Sequence, residues 1–300
     1  MAVYHTPVML DEVLGALNVK AAGIYADLTF GGGGHSKAIL KHLKTGLLVS
    51  FDQDTDALAN VPENKRFVPV LGNFRFLSQY LRYLGIKEVD GVLADLGVSM
   101  HQFDEPARGF TYRSNAPLDM RMNHSASFTA ADLLNTSDEE RLTKIFRDNA
   151  DIPFARRLAA SVVRFRTRQK FETTGQLADC VSPFCRPAEK NKILSRVFQA
   201  LRIEVNAEFD ALKEMLPQAA ACLKKNGRLV VLTYHSAEDR IVKNFFRTGN
   251  TEGHEETDIM GRKQQQALRP VNSKPVLPSA EEMEKNPASR SAKLRIAEKI

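Results

Sequence analysis

The sequence predicts an α/β protein built on a parallel β-sheet, with an all-helical domain inserted into it. Short apolar runs alternate with helix-like segments over the first hundred residues, which is the spacing of βαβ units whose sheet is buried on both faces. The alternation stops between Ser99 and Gly227, where most of the chain has helical periodicity. The inserted segment therefore interrupts the sheet-forming part of the chain.

The predicted strands are apolar runs bounded by turn residues: GIYADLTF (23–30), GLLVSFDQD (46–54), RFVPVL (66–71), VDGVLADLGVS (89–99) and GRLVVLTYHS (227–236). AKLRIAEK (292–299) is predicted as a closing edge strand, and the polar stretch 249–291 as loop. We divide the chain into a first domain part (1–103), an inserted helical domain (104–197) and a second domain part (198–300). A long helix over 197–216 leads back to the sheet.

Composition excludes several protein classes. The chain of 300 residues is 43% hydrophobic and can bury a sizeable core, but no stretch approaches the ~18 apolar residues of a membrane span. Its first residues lack the layout of a signal peptide. The cysteines Cys180, Cys185 and Cys222 have neither zinc-site spacing nor the pattern of a disulfide framework. We expect a cytoplasmic protein without metal or membrane, and the net charge of +6 favours a polyanionic partner.

The stretch YADLTFGGGGHSKAIL (25–40) places four glycines between a predicted strand and a predicted helix. Such a turn lets the backbone approach a ligand closely, and a nucleoside triphosphate, a dinucleotide and S-adenosylmethionine all suit it. A Walker A loop is rejected because, counted from Gly31, Ser36 stands where its last glycine belongs and Ala38 stands where its serine or threonine belongs. A dinucleotide fingerprint fails at Ser36, which replaces its third glycine. S-adenosylmethionine fits best.

Polar residues at the ends of the next strands agree with that cofactor. Asp52 follows the glycines by about twenty residues, where an acid accepts hydrogen bonds from ribose hydroxyls. Asp54 is interpreted as the cap of the following helix. Phe74 is either an apolar wall for adenine or a plain core aromatic. Asp95 ends the fourth strand, where its carboxylate can hold the methionine amino group or engage the substrate.

Seven motifs form a further pattern: HTPVMLDEV (5–13), DLTFGGGGHS (27–36), DLGVSMHQFD (95–104), RGFTYRSNAPLDMRM (108–122), VFQALRIEVNAE (197–208), GRLVVLTYHSAEDRIVKNF (227–245) and NPASRSAKLR (286–295). With these motifs the chain resembles the ribosomal RNA small subunit methyltransferase H family, also called RsmH or MraW, along nearly its whole length. It departs from that family just before Val197, where NKILSR replaces the usual HPATR.

The resemblance implies a Rossmann-like class I S-adenosylmethionine-dependent methyltransferase whose inserted domain recognises the substrate. It implies methylation of the N4 exocyclic amine of a cytidine in the decoding centre of 16S rRNA, with the assembled small ribosomal subunit as the expected partner. The cofactor contacts that it implies are Gly33, Gly34, His35, Asp52, Phe74, Asp95 and Gln102.

Several residues are candidates for the chemistry. Methylation at cytosine C5 requires a cysteine nucleophile, and no cysteine follows a strand near the glycine turn, which agrees with N-methylation and with many other acceptors. Asp95 and the carbonyls of Leu96 and Gly97 are candidate acceptors for the amine N–H. Asp119 in PLDMRM either pairs with a neighbouring arginine or belongs to a loop that closes over the cofactor. His235 is a candidate pocket residue, and Ser236 with Asp239 is interpreted as a helix cap.

Arg157, Arg164 and Arg168 have i, i+7, i+11 spacing in the inserted domain and are predicted to share one helix face. This face is either solvated or, given the resemblance, a surface that follows RNA phosphates. Two other functions stay open at this point. One is methyl transfer to another acceptor, and the other is a non-catalytic role in assembly of the small subunit.

Overall fold

The computed structural model describes residues 7–255 and 266–300 and divides into two compact units. The first unit comprises residues 1–97 and 209–300, and the second comprises residues 98–208. The second unit is thus wider at both ends than the predicted inserted domain of 104–197. His5 and Thr6 of the first motif, and residues 256–265 of the predicted loop, lie outside the described residues.

Within those described ranges, the first unit contains one seven-stranded sheet with the order β3-β2-β1-β4-β5-β7-β6. The strands are β1 Ile24–Asp27, β2 Leu47–Asp52, β3 Phe67–Leu71, β4 Val89–Asp95, β5 Leu223–Thr233, β6 Leu268–Pro270 and β7 Lys293–Lys299. Strands β1 to β5 are parallel, whereas β7 runs antiparallel to both β5 and β6. All five predicted strands before residue 240 are present, and the predicted α/β class is confirmed.

The C-terminal part of the sheet differs from the prediction. The predicted edge strand exists as β7, but β6 pairs with its outer side, so β7 is not at the edge. The stretch predicted as loop contains β6 and a short helix, Ala280–Lys285. The three residues of β6 are too few to show a period of two, and they include a proline, which is why the sequence pattern does not reveal this strand.

Twelve α-helices, numbered in chain order, lie in the described residues: α1 Leu10–Leu17, α2 Gly34–His42, α3 Leu77–Tyr83, α4 Met100–Asp104, α5 Ala130–Thr136, α6 Glu139–Asp148, α7 Ala155–Arg166, α8 Thr174–Val181, α9 Lys190–Val205, α10 Glu208–Cys222, α11 Ser236–Thr248 and α12 Ala280–Lys285. None of these helices is both long enough and apolar enough to cross a membrane.

The sheet is buried on both faces, as its near-continuous apolar strands require. Alternate residues of one strand join different cores: Val92 and Ala94 pack with α3, α10 and α11, whereas Leu93 packs with α1 and α2. This packing fixes the register of the central strands, because a shift by one residue would exchange the two faces. The carboxyl ends of β1, β2 and β4 consequently meet along one edge of the sheet.

The helical unit has a core of its own, formed by side chains between Phe110 and Leu201. The predicted helix over 197–216 is wrong in one respect, because it is two helices that break between Val205 and Glu208. Ala207 adopts a positive φ of 48° at the break. The Asn206 side chain accepts a hydrogen bond from Met122 N (2.7 Å) and donates one to Met120 O (2.8 Å).

Asp239 on α11 and the buried Arg295 on β7 form a two-point ion pair in the first unit. The Nε–Oδ1 distance is 2.6 Å and the Nη2–Oδ2 distance is 3.1 Å. Burial raises the pKa of Asp239, but the hydrogen bonds and charge of Arg295 outweigh burial, and the pKa lies below its usual range. Lys293 approaches the same carboxylate at 3.4 Å, from a more exposed position.

Asp239→Ala is expected to lower the free energy of unfolding by about 3–5 kcal/mol, because it leaves the buried Arg295 guanidinium without its partner. Lys293→Ala, which removes only the exposed partner, is expected to cost less than about 1 kcal/mol. Urea denaturation of the two variants measures both changes. Equal losses would contradict the dominant role of the pair with Arg295.

Candidate functional site

The glycine turn connects β1 to α2 at the carboxyl edge of the sheet. Gly33 caps α2 with a φ of 76°, a left-handed conformation that favours glycine. A Cβ at Gly33 would lie 2.9 Å from the Phe30 ring, and one at Gly34 would lie 3.0 Å from Pro7 Cβ. The first amides of a helix have no carbonyl partner within the helix, so the start of α2 can receive an anionic group such as a carboxylate.

A buried polar network holds the first turn of α2 against the strands. Ser36 Oγ donates to Asp27 Oδ2 on β1 (2.6 Å) and lies 2.6 Å from Ser50 Oγ on β2. The other oxygen of Asp27 accepts a hydrogen bond from Thr29 N at 3.2 Å. Burial raises the pKa of Asp27, although these hydrogen bonds oppose that shift. Ser36, which rules out the dinucleotide fingerprint in the sequence, thus has a structural role of its own.

Asp52, at the end of β2, is bonded to the glycine turn. Its Oδ2 accepts from Gly31 N (2.7 Å), and its Oδ1 accepts from Asp54 N (2.9 Å). Burial raises the pKa of Asp52 to about 6, because it outweighs the two amide hydrogen bonds. Each carboxylate oxygen can accept more than one hydrogen bond, so both can still receive the hydroxyls of a ribose diol.

Asp54 and Phe74 lie in the loops that follow β2 and β3. The predicted cap is confirmed, since the Asp54 side chain accepts from Asp56 N at the start of the 3-10 helix Thr55–Asn60. Phe74 begins another 3-10 helix and is half-buried against the core. Asn73 Nδ2 donates to Gln53 Oε1 at 2.9 Å and so joins the two loops beside Asp52. That the Phe74 ring packs against the adenine of the cofactor stays a prediction.

Asp95 ends β4 and lies between two aromatic side chains. Tyr234 Oη donates to its Oδ1 at 2.6 Å, and His35 Nδ1 lies 3.6 Å from its Oδ2. The Asp95 amide donates to Thr29 Oγ1 at 2.7 Å. The ring of His35 is buried, with Nε2 3.0 Å from Val8 O. Burial raises the pKa of Asp95, while His35 and Tyr234 oppose the shift.

Sequence reasoning missed Tyr234 and Thr29 as parts of this edge. Tyr234 stands directly after β5, and Thr29 lies two positions after the end of β1. Position at a carboxyl end was therefore the signal that could have found them.

Gln102 and Asp119, two further predicted site residues, lie in the second unit. Gln102 is buried and closes the capping box of α4 with Ser99, and its contact with a cofactor stays a prediction. Asp119 forms a two-point pair with Arg121, with Oδ1–Nε at 2.8 Å and Oδ2–Nη2 at 2.6 Å. Burial raises the pKa of Asp119, but the pair with Arg121 outweighs it, and the pKa lies below its usual range. These contacts favour the structural interpretation of PLDMRM.

His235 begins α11. Its Nδ1 accepts from Glu238 N (3.4 Å), and its Nε2 lies 2.9 Å from Glu238 Oε1. The predicted cap by Ser236 and Asp239 is therefore wrong: His235 is the capping residue, and Asp239 pairs with Arg295. Both ring nitrogens of His235 lie close to Glu238, and a role of this histidine in the pocket stays a prediction.

The predicted arginine stripe is partly present. Arg157 and Arg164 are exposed on α7, but Arg168 lies beyond the end of that helix at Arg166, so it does not continue the helical face. The Arg157 guanidinium lies 5.5 Å from the centre of the Phe184 ring. Residues 155–192 contain nine arginines and lysines but only three acids.

The donors and acceptors at the sheet edge fit S-adenosylmethionine. Because the sheet order places β1 between β2 and β4, the glycine turn lies between Asp52 and Asp95. Asp52 suits the ribose hydroxyls, the amides of α2 suit the methionine carboxylate, and Asp95 suits the methionine ammonium. This arrangement on a sheet with an antiparallel β7 defines a class I S-adenosylmethionine-dependent methyltransferase.

Comparisons with known proteins narrow this class. The model of the MraW methylase family matches residues 2–300, and the chain belongs to this family of S-adenosylmethionine-dependent methyltransferases. The resemblance inferred from the seven motifs is thereby confirmed.

The relatives match over nearly the whole chain. Ribosomal RNA small subunit methyltransferase H of Bacteroides fragilis is 52% identical over 297 residues, which cover 99% of this chain and 97% of that protein. The protein of the same name from Parabacteroides distasonis is also 52% identical, over 299 residues that cover 99% and 98%. A solved rRNA methylase from Streptococcus thermophilus covers 97% of this chain and 93% of its own, with 12% identity and a TM-score of 0.42. At that TM-score the likeness adds nothing to the family assignment.

The affinity for S-adenosylmethionine is expected to fall as the pH drops below about 6. Protonation of Asp52 removes the negative charge that strengthens its hydrogen bonds with the ribose hydroxyls. Asp52→Ala is expected to weaken binding at pH 8 by about 10- to 100-fold, the worth of hydrogen bonds to a charged group. The substitution should also remove the part of the affinity loss at low pH that is centred near pH 6. Calorimetric titration across this pH range measures both effects.

Glu63→Ala removes an exposed carboxylate from the same unit and serves as the control, with unchanged affinity and pH dependence. If Asp52→Ala showed the same loss of affinity at low pH as the wild-type protein, Asp52 would be excluded as the source of that loss.

Proposed function

We propose that this protein transfers a methyl group from S-adenosylmethionine to the N4 exocyclic amine of a cytidine in the decoding centre of 16S rRNA, in the cytoplasm. The observation that carries the proposal is the 52% identity, over nearly the whole chain, to relatives named ribosomal RNA small subunit methyltransferase H. The family membership and the sheet-edge site support the cofactor, and the relatives' name supports the ribosomal substrate.

The assignments at the cofactor site follow the chemistry of each group. The amides of Gly34 and His35 at the start of α2 receive the methionine carboxylate, beside the tight turn at Gly33. Asp52 receives the ribose hydroxyls, and Phe74 covers the adenine. Asp95 holds the methionine ammonium, since its carboxylate is already fixed by a hydrogen bond from Tyr234.

Bound S-adenosylmethionine supplies a methyl group that its positive sulfur already activates. The protein's task is to align the amine nitrogen with that methyl group and to exclude water. The lone pair of a cytosine amine is delocalised into the ring, so an acceptor for its N–H assists the attack. We assign this role to the carbonyls of Leu96 and Gly97, which follow β4. A Cβ at Gly97 would have no neighbour closer than 3.9 Å, so there is open space beside this backbone.

The cysteines do not support methylation at cytosine C5, which requires a thiolate. Cys222 is the one cysteine of the unit that carries the sheet, and it lies at the amino end of β5, opposite the edge with Asp52 and Asp95. Burial raises its pKa to about 12. Burial also raises the pKa values of Cys180 and Cys185 in the helical unit. Transfer to an exocyclic nitrogen needs no such nucleophile.

The helical unit supplies the charge for RNA binding. Residues 155–192 carry a net charge of +6, which equals the formal net charge of the whole chain. We infer that Arg157 and Arg164 contact rRNA phosphates, with Arg168 contributing from beyond the helix. Such contacts position the protein, while the target cytosine must leave its stack to be methylated.

Methyl transfer from labelled S-adenosylmethionine to small ribosomal subunits that lack this modification tests the reaction. After digestion of the rRNA to nucleosides, the label is expected in N4-methylcytidine. Label in another nucleoside would support the assigned cofactor but would show that the assigned target atom is wrong. Absence of label, with cofactor binding intact, would favour another acceptor or a non-catalytic assembly role.

The double substitution Arg157→Glu/Arg164→Glu is expected to weaken binding to small-subunit rRNA by at least about tenfold and to reduce its salt dependence, because two phosphate contacts are lost. Lys144→Glu/Arg147→Glu makes the same charge change on exposed residues of α6 and is the matched control. Filter binding at several salt concentrations measures both variants. Equal losses of rRNA affinity in the two variants would show that only the net charge matters. The assignment of the phosphate contacts to α7 would then be wrong.

A further inference from the structure

Tyr234 is the one aromatic residue whose hydroxyl contacts a predicted cofactor ligand among the described residues. Its Oη donates to Asp95 Oδ1 at 2.6 Å, from the first position after β5. His35 faces the other oxygen, with Nδ1 3.6 Å from Oδ2. Asp95 is therefore held from two sides, and the hydrogen bond from the phenol fixes the rotation of the carboxyl group.

Two further contacts hold Tyr234 in this position. Its backbone N–H donates to Glu238 Oε2 at 3.0 Å, and its ring packs against a core cluster that includes Met9 and Leu232. Burial raises the pKa of Tyr234 well above its ordinary value, and the neighbouring Asp95 raises it further. The phenol thus keeps its proton and acts as a donor, which excludes a role as a general base.

The charged groups around Asp95 give this donor a further consequence. Asp27 on β1 and Glu238 on α11 disfavour the negative charge on Asp95, as does burial, whereas His35 and Tyr234 favour it. Glu282 on α12 also faces Tyr234. Among the described residues, removing the phenol oxygen would leave His35 as the one side chain that stabilises the carboxylate against two neighbouring acids.

We propose that Tyr234 is a positioning residue for S-adenosylmethionine: its hydrogen bond fixes the rotation of the Asp95 carboxyl group that receives the methionine ammonium. The inference rests on the assignment of Asp95 to the cofactor in the proposed function. Tyr234 acts through Asp95 and touches neither the methyl group nor the RNA.

Tyr234→Phe removes the donor and keeps the ring. Calorimetry is then carried out with two ligands, S-adenosylhomocysteine, which has the amino-acid group, and 5′-methylthioadenosine, which lacks it. The affinity for S-adenosylhomocysteine is expected to fall about tenfold at pH 7, as for loss of a hydrogen bond to a charged group. Its acid fall should move to higher pH, because the carboxylate is less stable without the phenol. The affinity for 5′-methylthioadenosine is expected to stay unchanged.

Tyr25→Phe is the matched control, because it also removes a hydroxyl from a tyrosine of the same unit. The Tyr25 hydroxyl accepts a hydrogen bond from Lys20 N at 2.7 Å, near the start of β1 and thus at the opposite end of that strand from Asp27. This variant is expected to keep both affinities. Asp95→Asn should lose affinity for S-adenosylhomocysteine, and adding Tyr234→Phe to it should cause little further loss, because the two residues act through one contact.

An equal loss for both ligands would overturn the proposal, because it would show a merely structural role for the hydroxyl. A fall in kcat with unchanged affinity for S-adenosylhomocysteine would overturn it as well, and would assign Asp95 to the acceptor amine. The titrations contain no RNA, so an error in the proposed rRNA target would leave their outcome unchanged.

Discussion

The hydrogen bond from Gly31 N to Asp52 Oδ2 joins the glycine turn to the neighbouring strand, and the cofactor site depends on it. Four consecutive glycines provide no side chain that could anchor the turn. The turn is therefore held through its backbone and through Ser36 at the start of α2, which bonds to Asp27. One carboxylate thus shapes the turn and also faces the position assigned to the ribose. Any change at Asp52 that alters binding is expected to act on both.

Three carboxylates gather along one edge of the sheet, the buried Asp27 and the half-buried Asp52 and Asp95, and burial raises the pKa of each. Their partners in the described part of the chain are amides, hydroxyl groups and His35. Such a cluster lacks the charge compensation that a neighbouring arginine or lysine provides. S-adenosylmethionine has a positive sulfur and an ammonium group, so it offsets this negative charge when it binds. The unfavourable burial of acids is consistent with a site made for a cationic ligand.

The sequence predicted those parts of the fold whose pattern is local. The strands before residue 240 are apolar on both faces and bounded by turn residues, so their positions and their carboxyl-end acids could be read directly. The break between α9 and α10 at Ala207 could not be predicted from the sequence, because it depends on the distant contacts of Asn206 with Met120 and Met122. The cap of α11 was assigned to Ser236 by residue preference, whereas the structure uses His235.

Contacts between distant strands explain what sequence reasoning missed at the site. Asp95 and Tyr234 are 139 positions apart, and only the pairing of β4 with β5 brings their strand ends together. The position of Asp95 was predictable from its own strand, but the hydrogen bond that fixes its carboxyl group required the order of the sheet. The same holds for Gln53 and Asn73, whose contact depends on the pairing of β2 with β3.

The distribution of charge separates cofactor binding from recognition of the proposed RNA substrate. Outside residues 155–192 the basic and acidic residues are equal in number, so the excess positive charge of the chain lies in that one segment of the helical unit. A cluster of carboxylates repels phosphate and cannot contribute affinity for rRNA. The affinity must then come from a part of the chain with a positive excess, which is where Arg157 and Arg164 lie. A helical insertion can change its charged surface without disturbing the acids that the cofactor requires, because the sheet that positions those acids has its own core.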